Sequence, residues 1–175
     1  MEEGYEGAEI LGIHFEGPYL DMKYKGAQPE EHIVNPTIEQ FERYQAAAKG
    51  NIRYITMATE TDEDFADTCD LVQKANLLHT HIFPFSPREG TKAALMKPEV
   101  SAEVKKNRCA ELLEIAKASG ADFAQKKVGK QYRVFCERVR DGAMLGYTEN
   151  FIYTQVYAPQ AKPGDIIKVT LNGQT

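Results

Sequence analysis

Short apolar runs alternate with segments of helical periodicity over roughly the first two thirds of the chain. The pattern predicts strands over 9–15, 52–57 and 79–85, each followed by a helix. The first helix is expected over 37–49, and the last is expected to end near Gly120. Three strand–helix units in succession predict an α/β fold with a parallel sheet and right-handed crossovers.

Capping residues mark where these helices should begin and end. Gly50 follows the first helical pattern and is typical of a helix stop. Thr61, with Asp64 three residues later, has the spacing of a capping box and predicts the start of the second helix. Ser101 is the expected N-cap of the third helix. The predicted boundaries therefore have local chemical support.

Beyond residue 128 the hydrophobic period changes to two. Residues 132–139 alternate between apolar and polar positions, and Asp141-Gly142 is a strong hairpin-turn signal. Further strands are expected over 151–157 and 166–171. This part of the chain is therefore predicted to be a small antiparallel β-module, marginal in size unless it packs against its neighbour.

Composition limits the classes of protein that the chain can represent. Its 175 residues are 42% hydrophobic, yet no apolar run approaches the roughly 20 residues of a membrane helix, and the first residues are acidic. A cytoplasmic protein without membrane contact is the expectation. The cysteines, Cys69, Cys109 and Cys136, are far apart, which predicts free thiols without a disulfide framework or a clustered thiolate site.

Charge is distributed unevenly along the chain. The net charge is -5, but residues 123–175 carry eight basic and four acidic side chains, which leaves -9 on the remainder. A basic tail suggests a polyanionic partner, and the alternative is an ordinary solvated β surface. The candidate phosphate contacts are Lys126, Lys127, Lys130, Arg133, Arg138 and Arg140.

Aromatic residues accompany these cations. Tyr147, Phe151 and Tyr153 could stack on unpaired bases, or they could form the interior of the β-module. Because alternation places Phe151 and Tyr153 on one face, we expect Phe151 to be buried.

A carboxylate ends the first predicted strand. Glu16 precedes Gly17-Pro18, and the carboxyl ends of parallel strands are where active sites collect, so Glu16 is a candidate metal ligand. His79 and His81 would share one face of the third strand and could be its partners. The alternative is a carboxylate that caps the next loop and histidines that pack in the core, since a metal site needs three or four donors.

Segments 10–20, 25–28 and 52–58 resemble N-acetylglucosamine-6-phosphate deacetylases, which are amidohydrolase barrels. The resemblance implies that Glu16 binds a divalent metal and that Gln28 lies near the sugar. In that family, later strands carry the other metal ligands and the catalytic aspartate. The sequence after Glu60 does not continue the deacetylase pattern, so these strands have no counterpart here. Deacetylase activity is therefore not expected to carry over.

Segments 60–65, 79–91 and 146–152 resemble the C-terminal part of radical-SAM tRNA methylthiotransferases of the type acting on threonylcarbamoyladenosine. The resemblance implies a partial, TIM-like barrel followed by an RNA-binding TRAM domain. Asn150, within segment 146–152, joins Tyr147 among the RNA-binding candidates. The family uses an iron–sulfur cluster and SAM, but the clustered cysteines are absent here, so no cofactor is expected.

The two resemblances together predict a chimera with segments 1–59 (deacetylase-like), 60–127 (partial barrel) and 128–175 (TRAM-like). The favoured function is that of a tRNA-binding remnant of a methylthiotransferase that is not catalytic alone. The alternatives are a metal-dependent deacetylase fragment and a folded chimera without function. Unpaired edges of a three-stranded parallel sheet would also promote homo-oligomers.

Overall fold

Residues 12–59, 61–96 and 100–173 are described by a computed structural model of the chain. They form a mixed α/β structure with one parallel and one antiparallel sheet. The N-terminal unit contains the described residues up to Ala75 together with His81–Ile115, and the C-terminal unit contains Asn76–Thr80 and residues 116–173.

A two-stranded parallel sheet organises the N-terminal unit. Strand β1 (Ile13–Glu16) pairs with β2 (Ile52–Thr56), and helix α1 (Ile38–Ala47) connects them after a 3-10 turn at Glu30–His32. This confirms the first predicted strand–helix unit, although residues 9–11 of the predicted strand lie outside the described residues.

Helix α2 (Asp62–Lys74) begins at the predicted capping box. The Thr61 hydroxyl accepts a hydrogen bond from the Asp64 amide at 3.1 Å, and the Asp64 carboxylate accepts one from the Thr61 amide at 3.0 Å. Both bonds satisfy amide donors that a helix start leaves without intrahelical partners. The sequence prediction for this helix start is confirmed.

The core of the N-terminal unit forms where α1, α2 and β2 meet the segment after β1. Tyr19, Phe41, Ile52 and Leu71 pack together and are each less than a tenth exposed. The hydroxyl of Tyr19 is buried and has no hydrogen-bond partner within the described chain. Burial, and to a smaller extent the neighbouring Tyr44, raises the pKa of Tyr19 to about 12, so this phenol stays neutral in the core.

The predicted third strand is not formed. Residues 79–85 pair with no strand in the described structure, and Phe83 and Phe85 are 81% and 57% exposed. Pro84 lies within the segment and has no amide to donate to a sheet, which disfavours a central strand. A 3-10 turn at Ala93–Leu95 follows. The parallel sheet therefore has two strands, and the described residues form no closed barrel.

Helix α3 (Ala102–Gln125) is longer than predicted. It begins as expected, with the Ser101 hydroxyl accepting from the Val104 amide at 3.2 Å, but it continues past Gly120. A Cβ atom at Gly120 would lie 2.5 Å from the carbonyl oxygen of Leu78. Gly120 thus allows close contact with segment 76–80 and does not end the helix. Within the described residues, no helix is both long and apolar enough to cross a membrane.

The antiparallel sheet forms the C-terminal unit. Its strands are β3 (Gln131–Arg140), β4 (Ala143–Thr148), β5 (Tyr153–Val156) and β6 (Ile166–Thr170), in the order β5-β4-β3-β6. Asp141 and Gly142 link β3 to β4 with φ of 51° and 78°, as a type I′ turn requires, so the hairpin prediction is confirmed. Strand β4 was not predicted separately, because Ala143–Gly146 are all buried and show no alternation.

Candidate nucleic-acid interface

The register of the antiparallel sheet separates two chemically different faces. Residues directly opposite each other on neighbouring strands point to the same side. Val134 and Cys136 of β3 are fully buried and share one side with Met144 of β4, which is 3% exposed. This side is the apolar, inner face of the sheet.

A β-bulge in β3 decides which residues occupy the other face. Cys136 is opposite Gly146, whereas Arg138 is opposite the next residue of β4, Leu145, so Glu137 is an extra residue on β3. Strict alternation from Val134 would place Arg138 on the buried side. The bulge instead places it on the outer face.

We call this outer side the basic face. The basic face combines cationic side chains with aromatic and aliphatic ones. Its central residues, Ala143 and Leu145 of β4, are buried. Its members, assigned from the strand register, are Arg133, Phe135, Arg138, Arg140, Ala143, Leu145, Tyr147, Tyr153, Gln155, Ile166 and Lys168.

Two cations on the basic face are directly opposite each other. Arg133 of β3 is paired with Lys168 of β6. Like charges at such positions disfavour the sheet unless an anion offsets them. Glu149 lies near Arg133: its carboxylate accepts from the Arg133 amide at 2.6 Å and is 3.8 Å from the guanidinium Nε. One carboxylate thus accompanies two cations, which leaves this end of the face positive.

An aromatic cluster lies beside Arg138. The ring centres of Tyr147 and Tyr153 are 4.9 Å apart, and those of Tyr147 and Phe151 are 6.4 Å apart. The Arg138 guanidinium donates to the Tyr153 hydroxyl at 3.3 Å. Phe151 is 57% exposed, so the expectation that it is buried in the module is wrong. The loop before β5 breaks the alternation on which that expectation was based.

The remaining predicted RNA-binding residues lie off the basic face. The Lys126 ammonium contacts Asp122 at 2.6 Å and Asn76 at 3.1 Å, and that of Lys127 lies 4.7 Å from the centre of the Phe123 ring. Lys130 precedes β3 and is exposed. The side-chain oxygen of Asn150 accepts from the Thr148 hydroxyl at 2.6 Å. Arg140 differs from these residues because it belongs to the basic face, where its Nε is 3.4 Å from Asp141.

Sequence reasoning missed several members of the basic face, and three of them are exposed and close to Arg133 in the sheet. They are Phe135, Ile166 and Lys168. Charge alone identifies Lys168 as basic but does not pair it with Arg133. The register between β3 and β6 was the missing information.

The predicted metal ligands are not brought together. Glu16 is exposed at the end of β1, and the His14 imidazole contacts the Thr56 hydroxyl at 2.8 Å. His79 and His81 do not share a strand face, since their segment forms no strand, and His79 donates to the carbonyl oxygen of Phe151 at 3.2 Å. No group of three or more potential ligands occurs in the part of the chain that the structure describes.

Gln28, the residue that the deacetylase resemblance places near a sugar, lies in a turn. Its amide donates to the Lys25 carbonyl at 3.2 Å, and its own carbonyl accepts from the Lys25 ammonium at 2.9 Å. These contacts involve the backbone of Gln28 and stabilise the turn.

The cysteines do not fit an iron–sulfur cluster. Cys136 is fully buried on the inner face of the sheet, while Cys69 and Cys109 are on helices α2 and α3. Burial is the main cause that raises the pKa of Cys136 and of Cys69, with smaller contributions from Asp165 and Glu111 respectively. A cluster needs three or four cysteine ligands around one centre, and no group of three or more potential metal ligands occurs among the described residues.

Comparison with known proteins gives two kinds of relative. No protein-family model matches the sequence. A tRNA-2-methylthio-N(6)-dimethylallyladenosine synthase of Aquifex aeolicus is 30% identical over 86% of this chain and 34% of that protein. A threonylcarbamoyladenosine tRNA methylthiotransferase of Thermotoga maritima is 39% identical over 53% of this chain and 22% of that protein. Ribosomal protein uS12 methylthiotransferases are also similar.

The second kind of relative matches a shorter segment of the chain. An N-acetylglucosamine-6-phosphate deacetylase of Bacillus subtilis is 45% identical over 64 residues, which are 37% of this chain and 16% of that protein. The chain spans about a third of the first methylthiotransferase relative. Its broad similarity is thus to methylthiotransferases, and the homologues of this chain are methylthiotransferases of tRNA and of a ribosomal protein.

Proposed function

We propose that the chain is a tRNA-binding remnant of a tRNA methylthiotransferase and that its C-terminal unit makes the contact. The observation that carries the proposal is the basic face, on which the bulge at Glu137 gathers Arg133, Arg138 and Arg140. Cations on an exposed sheet can follow a phosphate backbone, and exposed rings can stack on bases. The names of the relatives point to tRNA as the RNA.

The chemistry of the face favours single-stranded or looped RNA over a duplex. In a duplex the bases are stacked on each other and their faces are not available to aromatic side chains. The rings of Tyr147 and Tyr153 lie within 5 Å of each other on a face that also holds arginines, the combination found in single-strand binders. Binding through phosphates and stacking should be salt-sensitive and weakly specific in sequence.

The remaining parts of the proposal concern the organisation of the chain. Segment 128–175 is the TRAM-like module, segment 60–127 derives from the partial barrel of a methylthiotransferase, and segment 1–59 derives from a deacetylase. The dispersed cysteines support a role in binding without radical chemistry by this chain alone.

Binding of the purified chain to a tRNA anticodon stem-loop across a salt series tests this function. We expect the affinity to fall linearly with salt on logarithmic axes. Lys130→Glu and Arg138→Glu should each weaken binding, and each should reduce the salt slope by about one.

The matched control is Arg43→Glu, which makes the same charge change at an exposed position of α1 in the N-terminal unit. This variant should bind like the native chain. Absence of binding at low salt, or equal losses in all three variants, would contradict the proposal.

A second candidate is a metal-dependent deacetylase fragment centred on Glu16, and the similarity to a deacetylase favours it. The described residues supply no complete ligand set, so one carboxylate would have to be joined by further donors. If this candidate is correct, the purified chain should hold one divalent ion by elemental analysis, and Glu16→Gln should lose it. Equal metal content in both proteins would reject Glu16 as a ligand.

A further inference from the structure

The loop between β4 and β5 holds a bulky aromatic residue in an unusual backbone conformation. Phe151 has φ of +63°, in the left-handed region that residues other than glycine, asparagine and aspartate rarely occupy. Such conformations cost energy and persist only where surrounding contacts enforce them.

Contacts of the loop provide that enforcement. The Phe151 amide donates to the Thr148 carbonyl at 2.9 Å, and the Ile152 amide donates to the Thr148 hydroxyl at 2.9 Å. The Phe151 carbonyl accepts from the His79 imidazole at 3.2 Å. Both polar groups of the Phe151 backbone are thus held by neighbours within the C-terminal unit.

This arrangement does not bury the ring. Phe151 is 57% exposed and Tyr153 is 45% exposed, so the loop keeps a large apolar ring in solvent at the cost of backbone strain. Burial therefore does not explain the conformation. Exposed rings on a strained, well-fixed loop are suited to receive another planar group.

The surroundings of the ring indicate what that group is. Phe151 adjoins Tyr147, which is also close to Tyr153, and Tyr153 is hydrogen-bonded to Arg138. Rings beside an arginine can contact the face of a base while the guanidinium contacts a neighbouring phosphate. The cations Arg133, Arg138 and Lys168 on the basic face are complementary to the phosphates next to such a base.

We infer that Phe151, with Tyr147 and Tyr153, forms a stacking site for a single unpaired RNA base. The inference rests on the proposed RNA-binding function and assigns a position within it. Phe151 supplies the exposed ring, Tyr147 adjoins both Phe151 and Tyr153, and Arg138 contacts the phosphate next to the base.

Phe151→Gly provides a selective test, since glycine adopts a positive φ without strain. This variant should keep the fold while losing the ring, and Phe151→Tyr should restore a ring. The probe is a short single-stranded RNA with 2-aminopurine at one position, compared with the same RNA carrying an abasic site there. Fluorescence reports stacking, and direct titration reports affinity.

We expect the native chain and Phe151→Tyr to quench the 2-aminopurine signal on binding. Phe151→Gly should bind the base-containing RNA roughly 5- to 100-fold more weakly, the range that loss of one stacked base gives. Its affinity for the abasic RNA and its salt slope should match those of the native chain.

Other outcomes separate the two claims. If Phe151→Gly binds the base-containing RNA as tightly as the native chain does, the stacking site is wrong while RNA binding through the cations stands. If the native chain binds neither RNA at low salt, the proposed function itself is wrong and the stacking site falls with it.

Discussion

Replacement of Gly146 by alanine is expected to destabilise the antiparallel sheet by about 3 kcal/mol or more. A Cβ atom at this position would lie 1.9 Å from the carbonyl oxygen of Phe135 and 3.1 Å from Cγ1 of Val134. The oxygen belongs to the paired strand and cannot move away without disrupting the sheet. Gly146 is also opposite Cys136, directly beside the bulge, so the distortion would reach the basic face.

Hydrogen exchange of the amides in β3 and β4 measures this effect locally. A loss of about 3 kcal/mol corresponds to roughly 100-fold less protection. Gly164→Ala in the same unit is the control, because a Cβ there meets no atom within 4 Å and the substitution costs only the strain of its φ of +97°. Unchanged protection in Gly146→Ala would show that the two strands are farther apart than described.

Leu71→Ala should have the largest effect in the N-terminal unit, a loss of about 2 to 5 kcal/mol. Leu71 is 2% exposed and packs with Tyr19, Phe41 and Ile52. Truncation would remove apolar contacts and leave a cavity bordered by large side chains that can close it only in part. Because α2 contributes Leu71 to this core, we expect the helix to lose most of its protection from exchange.

Leu95→Ala is the matched control for this substitution. Leu95 is 89% exposed in the same unit, so the same chemical change should alter stability by less than about 0.5 kcal/mol. Urea unfolding followed by circular dichroism compares the two variants. Similar midpoints would mean that Leu71 is not part of the core.

Local signals in the sequence predicted those elements that short-range chemistry determines. Thr61 and Asp64 set the start of α2, and Asp141-Gly142 set the hairpin, because each depends on residues within a few positions. The segment 79–85 has strand-like composition, but a strand requires a partner, and no partner pairs with it among the residues described. Gly120 was predicted to end α3 because glycine often follows a helix C-terminus. Its actual role is a close contact with Leu78, and a local pattern does not reveal a contact between residues so far apart in sequence.

The candidate interface could be predicted in its composition but not in its geometry. Counting charges was enough to single out Arg133, Arg138 and Arg140, whereas their common face depends on one extra residue in β3. Exposure of Phe151 also escaped prediction, since it results from a left-handed backbone held by Thr148 and His79. Both features depend on pairings that an alternating pattern does not encode.

The bulge also governs how this hairpin should be aligned with related sequences. Because Glu137 is the extra residue, a relative without it could keep Cys136 opposite Gly146 and Arg138 opposite Leu145. A shift of one position on either side of it would exchange buried and exposed residues. An alignment with such a relative should therefore place a one-residue gap at Glu137 before it compares Arg138 and Arg140. An alignment that is correct up to Cys136 but has no gap would match these two arginines with inner-face positions.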